Sequence, residues 1–277
     1  SKIEREFSLE PIARWFTNKL KVQSEKLKVK LGDIEGWEIT PQLFLLENLR
    51  FYDGEEKNDP EFAKKLASLA EIYVNDAFAM CHRNHASIVG ITKFLPHFSG
   101  FHLEKEIANL SKAMDNPKRP LVVIIGGKKI ETKLPLVEKM HKIADYVLVG
   151  GKIAQESQVF LKVRHEKILG KKSVLLVADL TLDGLSITEK SLYNFLDIIP
   201  MAKTIIWNGA MGFISDKEDE FQATRKIAKA IIKSEAYSIV GGGDTVEFLS
   251  KLGILDKFSF ASTGGGAMLA FLSGEKL

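Results

Sequence analysis

Cysteine is nearly absent: Cys81 is the only one in 277 residues. A single thiol excludes a disulfide framework and any zinc site built from several cysteines. Long apolar runs are missing too. The unbroken ones are strand-sized, as in Leu121 to Ile125, far below the roughly 18 residues that a membrane-spanning helix needs. The opening residues, Ser1-Lys2-Ile3-Glu4-Arg5, carry no apolar stretch of the signal-peptide kind, so the expected location is cytoplasmic, with no membrane partner. No single sign of charge dominates. Thirty-nine basic and 36 acidic residues leave a formal charge of +3. That balance does not point to nucleic acid, but it suits a small anionic ligand if basic groups converge. What remains is ordinary globular composition, 45% apolar and 27% charged, and a length that allows one large domain or two small ones.

Short β-branched runs alternate with longer amphipathic segments. Strands are expected at Leu43 to Leu46, Ile72 to Val74, Leu121 to Ile125, Tyr146 to Val149, Val174 to Val177, Thr204 to Trp207, Ser238 to Val240 and Phe258 to Phe260. Several are continuously apolar, as strands buried on both faces are. Helical patterns lie between them, among them one opened by Asp59-Pro60, one over Thr188 to Ile199 and one over Phe221 to Ile232. This alternation predicts an α/β protein with mostly parallel sheets. A helix over Leu103 to Met114 is broken by Asp115-Asn116-Pro117-Lys118-Arg119-Pro120. We therefore expect a first domain over 1–101, a hinge helix and linker over 102–119, and a second domain over 120–277. The competing arrangement is one large sheet with a long crossover.

The most informative residues are glycines at predicted strand ends. Gly126-Gly127, Gly150-Gly151, Asn208-Gly209, Gly241-Gly242-Gly243 and Gly264-Gly265-Gly266 all occupy such positions. In a parallel sheet these ends share one edge, and ligands bind in the crevice outside it. Three of the turns lead into helical patterns, whose N-termini present free N–H groups to anions. A phosphate or nucleotide site is the expectation. Neither Gly-x4-Gly-Lys-Ser/Thr nor Gly-x-Gly-x-x-Gly occurs, so the binding mode is neither of those.

Charged residues join the glycines. Lys129 and Lys133 are spaced i, i+4 beside Gly126-Gly127 and can share one side of a helix entry. They are either phosphate ligands or two solvated lysines. Asp244 follows the triple glycine at a helix start, where it is either an N-cap or a ligand for Mg²⁺. Arg50 and Arg83 each follow a predicted strand, positions suited to bidentate recognition of phosphate or carboxylate. Cys81, His82 and His85 cluster in sequence but fit no standard zinc spacing.

Taken together, these stretches resemble phosphoglycerate kinase. The matching segments are LLENLRFYDGEEKNDPEFAKKL from Leu45, VNDAFAMCHRNHASIVG from Val74, VVIIGGKKIETK from Val122, TIIWNGAMG from Thr204, VGGGDT from Val240 and STGGG from Ser262. The resemblance implies two Rossmann-like three-layer domains joined by a hinge helix. It also implies phosphoryl transfer from 1,3-bisphosphoglycerate to Mg-ADP, giving 3-phosphoglycerate and Mg-ATP in a cytoplasmic monomer. Under it, Arg50 and Arg83 contact the phosphoglycerate. Lys129, with Gly243 and Gly265, serves the transferring phosphoryl group. Gly127, Lys129, Lys133, Gly150, Gly151, Asn208, Gly242, Gly243, Asp244 and Thr245 bind the nucleotide, and Asp244 holds Mg²⁺.

The sequence also departs from the family. Its Asp-Phe-Asn and His-Leu-Gly-Arg motifs and its proline-glycine tail are absent, and the stretch between Gly151 and Trp207 is shorter than usual. Ser215 stands where the family has a ribose-binding glutamate, with Asp216 and Glu218 nearby. Ala210 replaces a proline, Lys152 a third glycine, and Ala79-Met80-Cys81 a Gly-Thr-Ala stretch. If these residues are the whole polypeptide, the expectation is negligible turnover with ADP binding retained. The competing readings are a nucleotide-binding pseudoenzyme or inactive truncated fragment of the family, and an unrelated α/β sugar-phosphate or dinucleotide enzyme.

Overall fold

The computed structural model describes residues 5–22, 28–128, 130–155, 157, 173–212 and 223–277. The chain divides into two compact units, one of residues 1–76 and 83–100, the other of residues 77–82 and 101–277. The division thus falls at the start of the helix Phe101–Met114, and that helix belongs to the second unit. The six residues from Ala77 to His82 also leave the first unit for the second.

The first unit opens with the helix Glu10–Lys19 and an antiparallel meander of β1 (Lys28–Leu31), β2 (Ile34–Thr40) and β3 (Leu43–Leu46). Gly32-Asp33 makes the tight turn between β1 and β2. A separate parallel pair, β4 (Tyr73–Asn75) and β5 (His97–Ser99), completes its strands among the described residues. The parallel arrangement expected of this half is thus confined to β4 and β5. The core here is small, centred on Ile34, Phe62, Ala63, Leu66 and Ile91. The helix Pro60–Ala67 supplies three of these. It starts where the sequence predicts: the Asp59 carboxylate accepts from the Phe62 N–H at 2.8 Å, and Pro60 occupies the first turn.

The second unit is a six-stranded sheet, parallel throughout. Its strands are β6 (Leu121–Ile125), β7 (Tyr146–Val149), β8 (Val174–Val177), β9 (Thr204–Asn208), β10 (Tyr237–Gly241) and β11 (Phe260–Ala261). Their spatial order is β11-β10-β9-β6-β7-β8. Every residue of β6 and β9 is buried, as central strands covered on both faces must be. Alternate residues of β6 serve opposite faces. Val122 and Ile124 pack with Leu192, Phe195, Ile227 and Phe248, whereas Leu121, Val123 and Ile125 pack with Leu110, Leu136, Met140 and Leu272. The helices Glu189–Ile198, Ala223–Lys233 and Gly243–Lys251 therefore cover one face. The helices Phe101–Met114, Ile130–Ile143 and Gly265–Ser273 cover the other. This is the expected three-layer arrangement. The order reverses between β6 and β9, and a crevice opens at that switch point, outside the strands' carboxyl ends. No helix among the described residues is long and apolar enough to cross a membrane.

Candidate functional site

The turns that follow β6 and β9 meet at the switch point. Gly126 N–H donates to Asn208 O at 2.9 Å, and Gly127 N–H to Ala210 O at 2.8 Å. Gly127 has φ +97°, a conformation open to glycine and strained for other residues. The Lys133 ammonium is tucked beneath this pair of turns, donating to the Gly126 carbonyl, with its side chain buried. Gly150 N–H donates to Ile125 O at 2.9 Å, which brings the turn after β7 alongside.

On the other side, Gly242 sits just before the helix Gly243–Lys251 at φ +98°. A Cβ there would stand 3.2 Å from Gly209 N, a tight contact that adds to the strain of that φ where the β9 and β10 turns approach. The amides of the helix's first turn have no partners within the helix, and the macrodipole adds positive potential there. Asp244 is exposed in that turn. Between these turns lies a cleft of about 520 Å³ whose walls include Gly127, Gly151, Asp244 and Phe248. Glycine turns and charged side chains, Lys128, Lys152 and Asp244 among them, supply polar surface. Leu185, Ala210 and Phe248 supply apolar surface. That combination suits a ligand with an anionic tail and a flat apolar head.

The sequence-predicted residues are distributed as follows. Gly127, Gly151 and Asp244 line the cleft. Gly243 and Gly265 line a neighbouring hollow formed with Ser262 and Thr263. Asn208 is buried and its side-chain amide packs against the Met268 sulfur at 3.6 Å, so it braces the β9 turn. Thr245 is fully enclosed. Gly150 is covered by Met211 and Ile187. Arg50 and Arg83 are exposed in the first unit. Lys129 lies outside the described residues, as do Ser215, Asp216 and Glu218.

Several cleft residues escape the strand-end pattern. Lys128 and Lys152 add cations to its wall, and Lys251, paired with Glu247 at 3.0 Å, lies about two helical turns beyond Asp244. Gly184 and Leu185 come from the loop after β8. Asp183 stabilises that loop by accepting from Thr181 Oγ1 at 2.5 Å and from Leu185 N–H at 3.0 Å. The hydroxyl first and then the amide hold its carboxyl below the usual aspartate range. Lys128 and Lys152 carry a plain sequence signal, their places directly after Gly127 and Gly151.

Among the described residues no group of three or more His, Cys, Asp or Glu is gathered to hold a metal ion. Among the described residues, Asp244 offers a carboxylate in the first turn of the helix. One carboxylate completed by phosphate oxygens and water is the donor set that Mg²⁺ takes when it arrives with a nucleotide. The residues present therefore fit that ion.

Comparison with known proteins bears on the same residues. The family model for phosphoglycerate kinase matches residues 1–183 and 164–275. A phosphoglycerate kinase of Dictyoglomus turgidum is 37% identical, over 97% of this chain and 79% of its own length. That of Moorella thermoacetica is 36% identical, over 100% of this chain and 81% of its own. Among solved structures, phosphoglycerate kinase from Coxiella burnetii has a TM-score of 0.73 at 31% identity, covering 99% of this chain and 80% of that one. The enzyme from Pyrococcus horikoshii has a TM-score of 0.76 at 28% identity, covering 98% and 80%. These relatives do not favour a pseudoenzyme or an unrelated α/β enzyme. The crevice of glycine turns, the helix N-terminus beside Asp244 and the similarity along nearly the whole chain lead to one assignment: the chain belongs to the phosphoglycerate kinase family.

Proposed function

We propose that the chain transfers a phosphoryl group from 1,3-bisphosphoglycerate to Mg-ADP, and the reverse, with the nucleotide held at the glycine-lined cleft of the second unit. The observation that carries this reading is the convergence of the β6, β7, β9 and β10 turns on a cleft bounded by a helix N-terminus. The polyphosphate takes the glycine turns, with Lys128 adding charge. The base takes the apolar surface offered by Leu185 and Phe248. Asp244 is the residue that would hold Mg²⁺, which when bound neutralises charge on the phosphate oxygens. Arg50 and Arg83 recognise the anionic groups of the phosphoglycerate, as planar forked donors do.

The chemistry asks little of a general base. The attacking oxygen of ADP is already anionic, so the protein's task is alignment and charge stabilisation around the transferring group. Backbone amides supply fixed donors without reorganisation, and lysines supply charge. Lys129, Gly243 and Gly265 are assigned here to the transferring phosphoryl group.

Calorimetric titration tests the reading. ADP should bind more tightly with Mg²⁺ than without, and Asp244→Asn should remove that difference while leaving metal-free binding in place. Arg50→Ala and Arg83→Ala should each weaken 3-phosphoglycerate binding about tenfold or more and leave ADP binding alone. An ADP affinity indifferent to Mg²⁺ would sink the assignment.

A further inference from the structure

The first unit contains a buried carboxylate that the reading above does not use. Glu55 lies in the short helical turn Asp53–Glu56 and is 3% exposed. Burial of an ionised carboxylate is costly unless donors surround it. Two come from Ser87, whose N–H reaches Oε2 at 3.0 Å and whose hydroxyl reaches Oε1 at 2.5 Å. The third group facing it is the His85 ring, with Nδ1 at 3.6 Å from Oε1. His85 is itself buried, and its Nδ1 has no hydrogen-bond partner. A lone pair on Nδ1 pointed at a carboxylate would be repelled. A proton on Nδ1 would be attracted, and the ring needs only a small shift to donate.

These contacts fall on the residues that directly follow Arg83. Asn84, directly after Arg83, is held from just beyond that turn: Asn58 Nδ2 donates to Asn84 Oδ1 at 2.7 Å. The His85 carbonyl then accepts from Val89 N–H at 2.8 Å, which anchors the following helical turn Ala86–Gly90. Arg50 precedes Glu55 by five residues, and Asn48 Oδ1 fixes its backbone by accepting from Arg50 N–H at 3.1 Å. The segment 48–58 therefore carries one arginine and grips the loop that carries the other. All of these groups lie within the first unit.

We propose that Glu55 is a positioning residue for the anionic substrate: its carboxylate fixes the Nδ1–H tautomer of His85 and, through His85 and Ser87, sets the loop that presents Arg83. The proposal rests on the assignment of Arg50 and Arg83 to 3-phosphoglycerate. Held this way, His85 keeps Nε2 as an acceptor, and the loop it anchors fixes the backbone that carries Arg83. Orientation of a ring by a carboxylate at its other nitrogen is a general device.

Two measurements decide it. Nitrogen-15 spectra of the wild-type protein, with His85 assigned by loss of its signal in His85→Gln, should show Nδ1 protonated at neutral pH. An Nε2–H tautomer there overturns the proposal without reference to any ligand. Calorimetry should then show Glu55→Gln binding 3-phosphoglycerate about tenfold more weakly, with ADP affinity unchanged. Unchanged 3-phosphoglycerate affinity in Glu55→Gln overturns the proposal. If Glu55→Gln does not fold, Ser87→Ala, which keeps the charge and removes one donor, should give a smaller loss of the same kind, and no loss counts against it. Failure of the wild type itself to bind 3-phosphoglycerate sinks the assignment of the two arginines, a result distinct from failure of Glu55 alone.

Discussion

The Lys133 ammonium lies directly against Gly127: a Cβ built on that glycine would stand 2.6 Å from Nζ. Backbone and side chain thus share one small space at the head of β6. Gly127→Ala should fail there twice. Its φ of +97° strains an alanine, and the methyl displaces the ammonium from the Gly126 carbonyl. The expected loss of stability is about 1–3 kcal/mol, read from urea unfolding, together with weaker ADP binding in calorimetry. Wild-type stability and affinity in this variant would show that the Lys133 packing is incidental.

Trp207 connects the core to the same turns. It is fully buried in β9, lies 6.1 Å from the Phe258 ring and donates from Nε1 to the Gly209 carbonyl at 2.9 Å. Trp207→Phe keeps an aromatic ring and removes that donor. The freed carbonyl and the smaller ring should together cost roughly 2–4 kcal/mol. Nucleotide affinity should fall further than in a core variant of similar stability that is remote from the turn, such as Phe195→Leu. Equal losses of affinity would show that the Gly209 turn does not depend on the indole.

The second unit was largely readable from sequence because its strands are central and parallel. Residues such as Leu121 to Ile125 are buried on both faces, so they announce themselves as apolar runs, and glycine turns mark where they end. The first unit was less readable. β2 contains Gly36 and Glu38 between its apolar residues and is built as part of an antiparallel meander. Its local signal is the Gly32-Asp33 turn that joins it to β1. β5, with His97, Phe98 and Ser99, has no apolar run at all. In the site, the strand-end rule found residues whose backbones matter. It could not find Leu185 or Phe248, whose roles depend on which elements fold over the crevice. Nor could sequence spacing show that Thr245 and Asn208 would be enclosed while Asp244 stays exposed, since burial is decided by the neighbouring turns.

Asp183 gives the loop after β8 a pH dependence of definite sign. The Thr181 hydroxyl and the Leu185 amide lower its pKa in the folded state. A carboxyl depressed on folding contributes stability at and above its unfolded value, and loses it as pH falls through the lower folded value. The window therefore opens at about pH 4 and extends downward. Asp183→Asn keeps an acceptor oxygen and abolishes the titration. The stability of the wild type relative to Asp183→Asn should be constant from pH 7 to about 5 and should decline below about pH 4. Chemical unfolding of both proteins across that range measures the difference. A flat difference would mean that the carboxylate's two bonds are not maintained in solution.

Glu106 holds the turn after β11 from below. It is fully buried in the helix Phe101–Met114, and its Oε1 accepts from Thr263 N–H at 2.7 Å and from Thr263 Oγ1 at 2.8 Å. Because that hydroxyl spends its proton on Glu106, it can only accept from His102 Nε2, 2.9 Å away. The chain His102 to Thr263 to Glu106 therefore runs in one direction and ends on a buried carboxyl oxygen. Glu106→Ala should strand the Thr263 amide and hydroxyl and cost about 1–3 kcal/mol. Thr263→Val, which removes the hydroxyl alone, should cost less. In the double variant the two losses should not add, because the hydroxyl's partner is already gone. A cycle of thermal or urea unfolding measures that coupling, expected at about 0.5–3 kcal/mol for residues in contact. Additive losses would show that Thr263 and Glu106 act separately, and that the Ser262–Gly264 turn is held by its backbone alone.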